Sequence, residues 1–269
     1  MLSKTIKEMK IAICLYGQAR NYNYGYQCIK EMIEQNKEHT YDIYFHCWID
    51  NNIKYDCSYW RPNIEEKSLY IDNQNIVKDN IVNFYKPLSY LFEKPLEKNS
   101  GIFISEIENF KKSLMYINSS EKMQNNICNT FSQICSRTRV RDIFEKYTSE
   151  NNIFYDIVVT TRFDGLNFPE KLNFTEINKD KIYTCTMRLP NVIIPDNFLL
   201  MPQKIFLKWF NIYPTLKSII NNKNLMLRFE NFLLGAEYIF GMEEILLCSY
   251  FLNCSFNLDN VEYVLQTNR

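Results

Sequence analysis

The apolar positions of the chain fall into short unbroken runs and into three- and four-residue steps, and these two rhythms predict different elements. Residues 10–16 (Lys-Ile-Ala-Ile-Cys-Leu-Tyr) form an apolar run that stops at Gly17. A run of that length, without alternation, predicts a strand buried on both faces, the mark of a central parallel sheet. Residues 24–35 place Ile29, Met32 and Ile33 on one face of a helix, and Tyr41 to Trp48 read as a second strand. The chain therefore opens β-turn-α-β, the start of the α/β unit on which nucleotides are commonly bound.

Residues 49–104 are less regular. Strand-like pieces at Ser68–Ile71 and Leu88–Phe92 alternate with a helix signal at Ile76–Tyr85, and Pro87 and Pro95 bound them. From Glu121 to Glu150, Met123, Ile127, Phe131, Ile134, Cys135 and Thr138 recur at helical steps. Phe154 to Thr161 is the clearest strand, rich in β-branched residues and ending in Arg162-Phe163-Asp164-Gly165. Strands are expected at Lys181–Cys185 and Phe198–Met201, helices at Gln203–Ile220, Phe229–Phe240 and Met242–Phe251, and a last strand at Asn260–Gln266. No internal repeat and no Gly-, Ser- or Pro-rich linker divides the chain. The expectation is a single domain over residues 1–269, with a nucleotide-binding half at about 10–165 and an acceptor half at about 166–269.

Composition narrows the partners. The 269 residues carry 31 Lys and Arg against 31 Asp and Glu, a net charge of zero, which argues against a nucleic-acid-binding surface. Hydrophobic residues make up 46% and aromatic residues 15%, the mix of a chain that folds around a core. Only 6 glycines are present, and neither the dinucleotide fingerprint nor the Walker phosphate loop occurs. The 9 cysteines are odd in number and have no CxxC spacing, so they read as free thiols buried in a reducing compartment. With 2 histidines to complement them, a zinc site is disfavoured. The N-terminus has no apolar core of a secretory signal. The most apolar stretch, Phe232 to Leu252, contains Glu237, Glu243 and Glu244, each costing roughly 3 kcal/mol in a bilayer, so no transmembrane segment is expected. A cytoplasmic protein is expected, free or peripheral to the inner face of the membrane.

Four groups of residues carry candidate chemistry. Gly17-Gln18-Ala19-Arg20 follows the first strand, where open parallel sheets bind ligands; glycine admits close backbone approach and arginine offers a fork to phosphate oxygens. Arg162-Phe163-Asp164-Gly165 closes the strongest strand, where Asp164 can meet a metal or diphosphate and Arg162 can neutralise phosphate charge; a structural ion pair is the plainer alternative. Arg137 and Arg141 share a helix face, which is either a diphosphate clamp or a solvated surface, while Arg139 points elsewhere. The carboxylates Asp196, Glu237, Glu243 and Glu244 are candidate bases, Glu237 because an apolar setting raises a carboxyl pKa. Asp50 is a weaker candidate, and His46 alone reads more naturally as a core histidine.

The order strand-Gly-Gln-x-Arg, Tyr-Asp-Ile-Tyr-Phe-His-Cys-Trp, long helix, Tyr-Asp-Ile-Val-Val-Thr-Thr-Arg-Phe-Asp-Gly and Asp-Asn-Phe-Leu-Leu-Met-Pro resembles a group of small glycosyltransferases of bacterial capsule and surface-polysaccharide loci and giant viruses. The resemblance spans most of residues 10–202. It implies a single-domain, GT-A-like (Rossmann-like) α/β/α sandwich with a mostly parallel central sheet and extra C-terminal helices. It further implies a nucleotide-sugar donor, a UDP-sugar being favoured, and a glycan or oligosaccharide acceptor. Gly17, Gln18 and Arg20 would line the donor nucleotide, and His46 and Trp48 would lie near its base or ribose. Arg162 stands where such enzymes carry the first Asp of an Asp-x-Asp motif, leaving Asp164 as the ligand for Mn2+ or Mg2+ and opening the alternative that arginine supplies part of the cation's charge. Two other readings stay open on the residues alone: another nucleotide- or phospho-group transferase, and a non-catalytic glycan-binding module whose aromatic residues stack on sugars.

Overall fold

A computed structural model describes residues 8–50, 73–96, 101–113, 127–165, 168–169, 171–185, 197–224, 242–254 and 261–264. The first apolar run becomes β1 (Lys10–Gln18), followed by α1 (Tyr22–Gln35) and β2 (Thr40–Trp48), the predicted opening unit. Next come α2 (Gln74–Tyr85), β3 (Ser89–Glu93), α3 (Gly101–Lys111), α4 (Ile127–Glu150) and β4 (Ile157–Arg162). The chain continues with β5 (Ile182–Cys185), β6 (Phe198–Met201), α5 (Gln203–Trp209), α6 (Ile212–Ile220), α7 (Met242–Cys254) and β7 (Val261–Val264).

The strands form one seven-stranded sheet in the order β3-β2-β1-β4-β6-β5-β7. β3, β2, β1 and β4 are mutually parallel, β6 is antiparallel to both of its neighbours, and β7 is parallel to β5. Six strands thus share one direction and β6 alone is reversed. The chain walks outward from β1 to β3, then returns to place β4 on the other side of β1. Right-handed crossovers demand that helices serving opposite walks cover opposite faces, and they do. Ile11, Ile13 and Leu15 pack with Cys28, Ile29 and Met32 of α1 and Ile81 and Tyr85 of α2. Ala12, Cys14 and Tyr16 face α4 and the C-terminal helices, with Phe131, Ile134, Phe144 and Trp209. The result is the α/β sandwich with a mostly parallel sheet and added C-terminal helices that the sequence predicts.

Two expected elements change in extent, and one helix is added. The segment Gln203–Ile220 is two helices because Pro214, in the first turn of α6, has no N–H and its ring would strike the Phe210 carbonyl in a continuous helix. The strand read from Phe154 starts only at Ile157: Phe154 is exposed, and the Tyr155 N–H donates to Gln203 Oε1 at 2.7 Å instead of to a ladder. Helix α3 was not anticipated. The strand piece at 68–71, the helix expected at 229–240 and the first residues of the helix read from Glu121 lie outside the described residues.

Helix α4 is unusual in burying Thr130, Ser136, Arg137, Thr138 and Thr148 along with its apolar residues. It lies between the sheet on one side and α5, α6 and α7 on the other, so more than one of its faces is covered. Its Ser132 and Ser136 meet the carboxyl ends of β2 and β1, while Phe144, further along, meets Tyr44 nearer the middle of β2. Ser136 and Arg137, in α4's N-terminal half, are therefore brought to the carboxyl end of β1, whereas Thr138 turns to α6 and accepts the Tyr213 N–H at 3.1 Å.

Candidate functional site

The point where strand order reverses lies between β1 and β4, and in open α/β sheets ligands bind beyond the carboxyl ends of the strands at such a point. Two of the sequence-selected segments meet there. β1 ends in Gly17-Gln18, β4 ends in Arg162, and Tyr16 is the cross-strand partner of Arg162. Gly17 has φ +106°, and a Cβ added there would meet nothing within 4 Å. Glycine is thus required at residue 17 by backbone conformation, and the space above its Cα is open. The chain then turns through Arg20, whose N–H donates to the Gln18 carbonyl at 2.8 Å and whose Nε donates to Gln18 Oε1 at 2.7 Å, before α1 begins at Tyr22.

On the β4 side, Arg162 Nη2 donates to Asp164 Oδ2, and Nη1 donates to Asn197 Oδ1 at 3.3 Å. Arg162 and Asp164 are therefore an ion pair, with Asp164 the more buried partner. The chain has turned by residue 163, so it is the turn, and not continued strand alternation, that brings the two together. This turn is seated on the first turn of α1. A Cβ on Gly25 would lie 1.9 Å from the Phe163 carbonyl oxygen, and one on Gly165 would lie 2.9 Å from Gly25 Cα. Gly25 was not selected from the sequence; the available signal was an isolated glycine inside a helical pattern in a chain with few glycines.

Arg137 joins the same edge and is not a solvated arginine. It is fully buried, with its guanidinium carbon 4.0 Å from the centre of the Tyr16 ring and 5.8 Å from that of Phe210. Arginine keeps its charge when buried, so Tyr16 has a guanidinium against its ring and another, Arg162, as its strand partner. Arg139 goes elsewhere, to Glu93 Oε2 at 3.3 Å. Arg141 is drawn away from the edge: Nε donates to the Leu207 carbonyl at 3.0 Å, and Nη1 pairs with Glu145 Oε2 at 2.7 Å. The geometry does not bring Arg141 to the ligand edge.

His46 and Trp48 stand at the carboxyl end of β2, beside Tyr16 and Gln18 respectively. Both turn inward to α4. Trp48 Nε1 donates to the Ser132 carbonyl at 3.2 Å. His46 is fully buried, with Nδ1 2.8 Å from Ser136 Oγ and Nε2 2.9 Å from Glu93 Oε2. Burial holds its pKa below the ordinary value, against the pull of Glu93, while the contact with His46 holds the Glu93 carboxyl below its own. Histidine is then neutral and glutamate charged. A carboxylate only accepts, so Nε2 carries the proton, and Nδ1 accepts from the Ser136 hydroxyl. Ser136 Oγ in turn accepts the Gly17 N–H at 2.8 Å. The Gly17 amide is thus turned to α4 and not to the open space. Ser136 and Glu93 were not selected from the sequence: they lie 90 and 47 residues from His46, with no local motif to join them.

Among the described residues no group of three or more His, Cys, Asp or Glu is placed to hold a metal ion. Asp164 fits a divalent cation only in company with a ligand's own phosphate oxygens, and Arg162 already rests on it. Asp196 and Glu237 lie outside the described residues, as does the side chain of Glu243, although its backbone belongs to α7. Eight cysteines are placed as free thiols, five of them buried. No described helix is long and apolar enough to cross a membrane. No family model matches the chain, and no curated protein matches it in sequence.

Proposed function

We propose that the protein is a glycosyltransferase that binds a nucleoside-diphosphate sugar at the joint carboxyl edge of β1 and β4 and passes the sugar to a glycan acceptor, in capsule or surface-polysaccharide synthesis. The observation that carries this reading is the meeting of the Gly17–Arg20 turn with Arg162 and Asp164 at the reversal of strand order. The mostly parallel sheet with one reversed strand is compatible with a GT-A-like fold. Open space over Gly17 supports a ligand at that point, and Arg20, Arg162 and Arg137 concentrate positive charge at or beneath it on a chain whose net charge is zero.

The chemistry follows from these charges. An acceptor hydroxyl oxygen attacks the anomeric carbon, the bond from that carbon to the diphosphate breaks, and the electron pair remains on the leaving phosphate oxygen. Arg162 would hydrogen-bond that developing charge, and fixed cationic donors of this kind act as electrostatic catalysts. Asp164 would hold a divalent cation, which would supply Lewis-acid charge to the leaving group. The hydroxyl proton needs a carboxylate base. Asp196 is the first to test, because it directly precedes Asn197, whose side chain meets Arg162; Glu237 and Glu243 follow.

The test is thermal unfolding with UDP- and GDP-sugars, with and without Mn2+. Binding at a hundredfold excess over Kd stabilises the fold by about 2.7 kcal/mol. Arg162→Ala is expected to weaken donor binding at least tenfold, the loss of one charge-assisted hydrogen bond of about 1.5–3 kcal/mol. Silence from every nucleotide sugar, or undiminished binding in both Arg162→Ala and Asp164→Ala, rejects the proposal.

A further inference from the structure

Ser136, His46 and Glu93 have the composition of a hydroxyl–imidazole–carboxylate triad, but their geometry is not that of a nucleophile and its base. Ser136 is fully buried in the middle of α4, and its oxygen already accepts the Gly17 N–H. An activated serine needs an open oxygen facing substrate. What the three residues do instead is close a directional chain. The Ser136 hydroxyl accepts from Gly17 at 2.8 Å and donates to His46 Nδ1 at 2.8 Å; His46 Nε2–H donates to Glu93 Oε2 at 2.9 Å; and Arg139 Nε donates to the same carboxylate oxygen at 3.3 Å. The chain links β1, α4, β2 and β3, and its inner end is Gly17, whose φ of +106° opens the candidate donor turn.

We infer that Ser136 and His46 are positioning residues: they hold the Gly17 amide against α4, and so keep the φ +106° turn and the open space above it in the shape that receives the donor. This rests on reading the β1–β4 edge as a nucleotide-sugar site. The chain is also sensitive to pH. The charged groups that reach His46 are Glu93 from β3 and Arg139 from α4; β1 offers it Tyr16 as register partner, and Trp48 of its own strand lies edge-on at 4.4 Å between ring centres. When His46 takes a second proton, Nδ1 becomes a donor. Ser136 Oγ must then accept from both His46 and Gly17, and its own proton loses its acceptor. The arrangement at Gly17 changes with the charge on a ring three atoms away, although Gly17 itself does not titrate.

Gly17 can be read directly, because the chain has 6 glycines. Isotopically labelled glycine gives a two-dimensional amide NMR spectrum of that few signals. In the wild type the Gly17 amide is expected to be protected from hydrogen exchange and to shift with the titration of His46. Ser136→Ala is expected to speed Gly17 exchange at least tenfold while the Gly25 and Gly165 signals stay in place. Glu93→Gln, at a partly exposed residue and so mild for folding, is expected to move the midpoint of the Gly17 titration to lower pH, because the carboxylate favours protonated His46. A residue with only a packing role would not move that midpoint. In parallel, Ser136→Ala is expected to raise the Kd for UDP or GDP at least tenfold. Gly17 signals that follow neither variant, with nucleotide still binding, overturn the relay and leave the donor site standing. Glycine signals that behave as stated, with no nucleotide bound by the wild type, overturn the donor reading and retain the relay.

Discussion

Two glycines near the candidate site are needed for different reasons, and substitution separates them. At Gly17 the strain is conformational and the surroundings are open, so Gly17→Ala is expected to cost about 1 kcal/mol. At Gly25 an added methyl would overlap the Phe163 carbonyl, a backbone atom that cannot swing aside, so the helix must shift off the β4 turn. Gly25→Ala is expected to cost about 3 kcal/mol. Urea midpoints of the two variants check the order. The sequence places Gly17 correctly at the strand end, because a run followed by glycine is a local signal. It does not nominate Gly25, whose partner is 138 positions away and is a carbonyl any residue could present. For the same reason the relay was invisible: a serine in a helix and a glutamate after an apolar strand acquire meaning only when β3, β2 and β1 are laid side by side. The relay also has a stability signature. The unfolded chain binds a proton at histidine below pH 6.5, whereas buried His46 resists it, so the native state loses stability as pH falls below that value. Glu93, held low in the fold, adds a second loss below pH 4.5. The urea midpoint is expected to fall from pH 8 to pH 5 in the wild type and to fall less in His46→Gln.

At the scale of elements, apolar runs located β1, β2, β4 and β6 because both faces of those strands are covered, which leaves the sequence no alternation to misread. Helix α4 was legible as a helix but not as to which side faces what. Its arginines at 137, 139 and 141 look alike in sequence, yet one is buried against Tyr16, one reaches Glu93 and one is tied to Glu145 and Leu207. A helix covered on more than one side has no single polar stripe, so periodicity cannot assign them. Phe144 shows what this helix contributes to the fold. It packs edge-on against Tyr44 at 5.0 Å and Phe206 at 5.3 Å, joining the sheet to α5. Phe144→Ala is expected to cost about 3–5 kcal/mol, measured by chemical denaturation.

For the whole molecule, the two halves expected from the sequence share one sheet. β4, from the first half, pairs directly with β6, from the second. A fragment ending at residue 165 would leave β4 as an open edge and strip α4 of the C-terminal helices that cover it, including buried Trp209, Phe210 and Leu246. The full chain is expected to unfold in one transition, with tryptophan fluorescence and far-ultraviolet dichroism coinciding; two separated transitions would show that the halves are independent.

Strand β6 has a consequence of its own. Because it runs against its neighbours, its first residue, Phe198, pairs with Thr161 near the end of β4, so β5 ends and β6 begins on the same, carboxyl edge of the parallel strands. Cys185 and Phe198 are thus two fixed posts on that edge, with twelve positions of the chain between them. The rungs of the ladder are made by the strands on either side of these posts, Ile182–Cys185 and Phe198–Met201. On the proposed transferase reading, replacing positions 186–195, which stops short of Asp196 and of the Asn197 that meets Arg162, is expected to change acceptor choice and retain nucleotide-sugar binding, read by thermal unfolding with the donor.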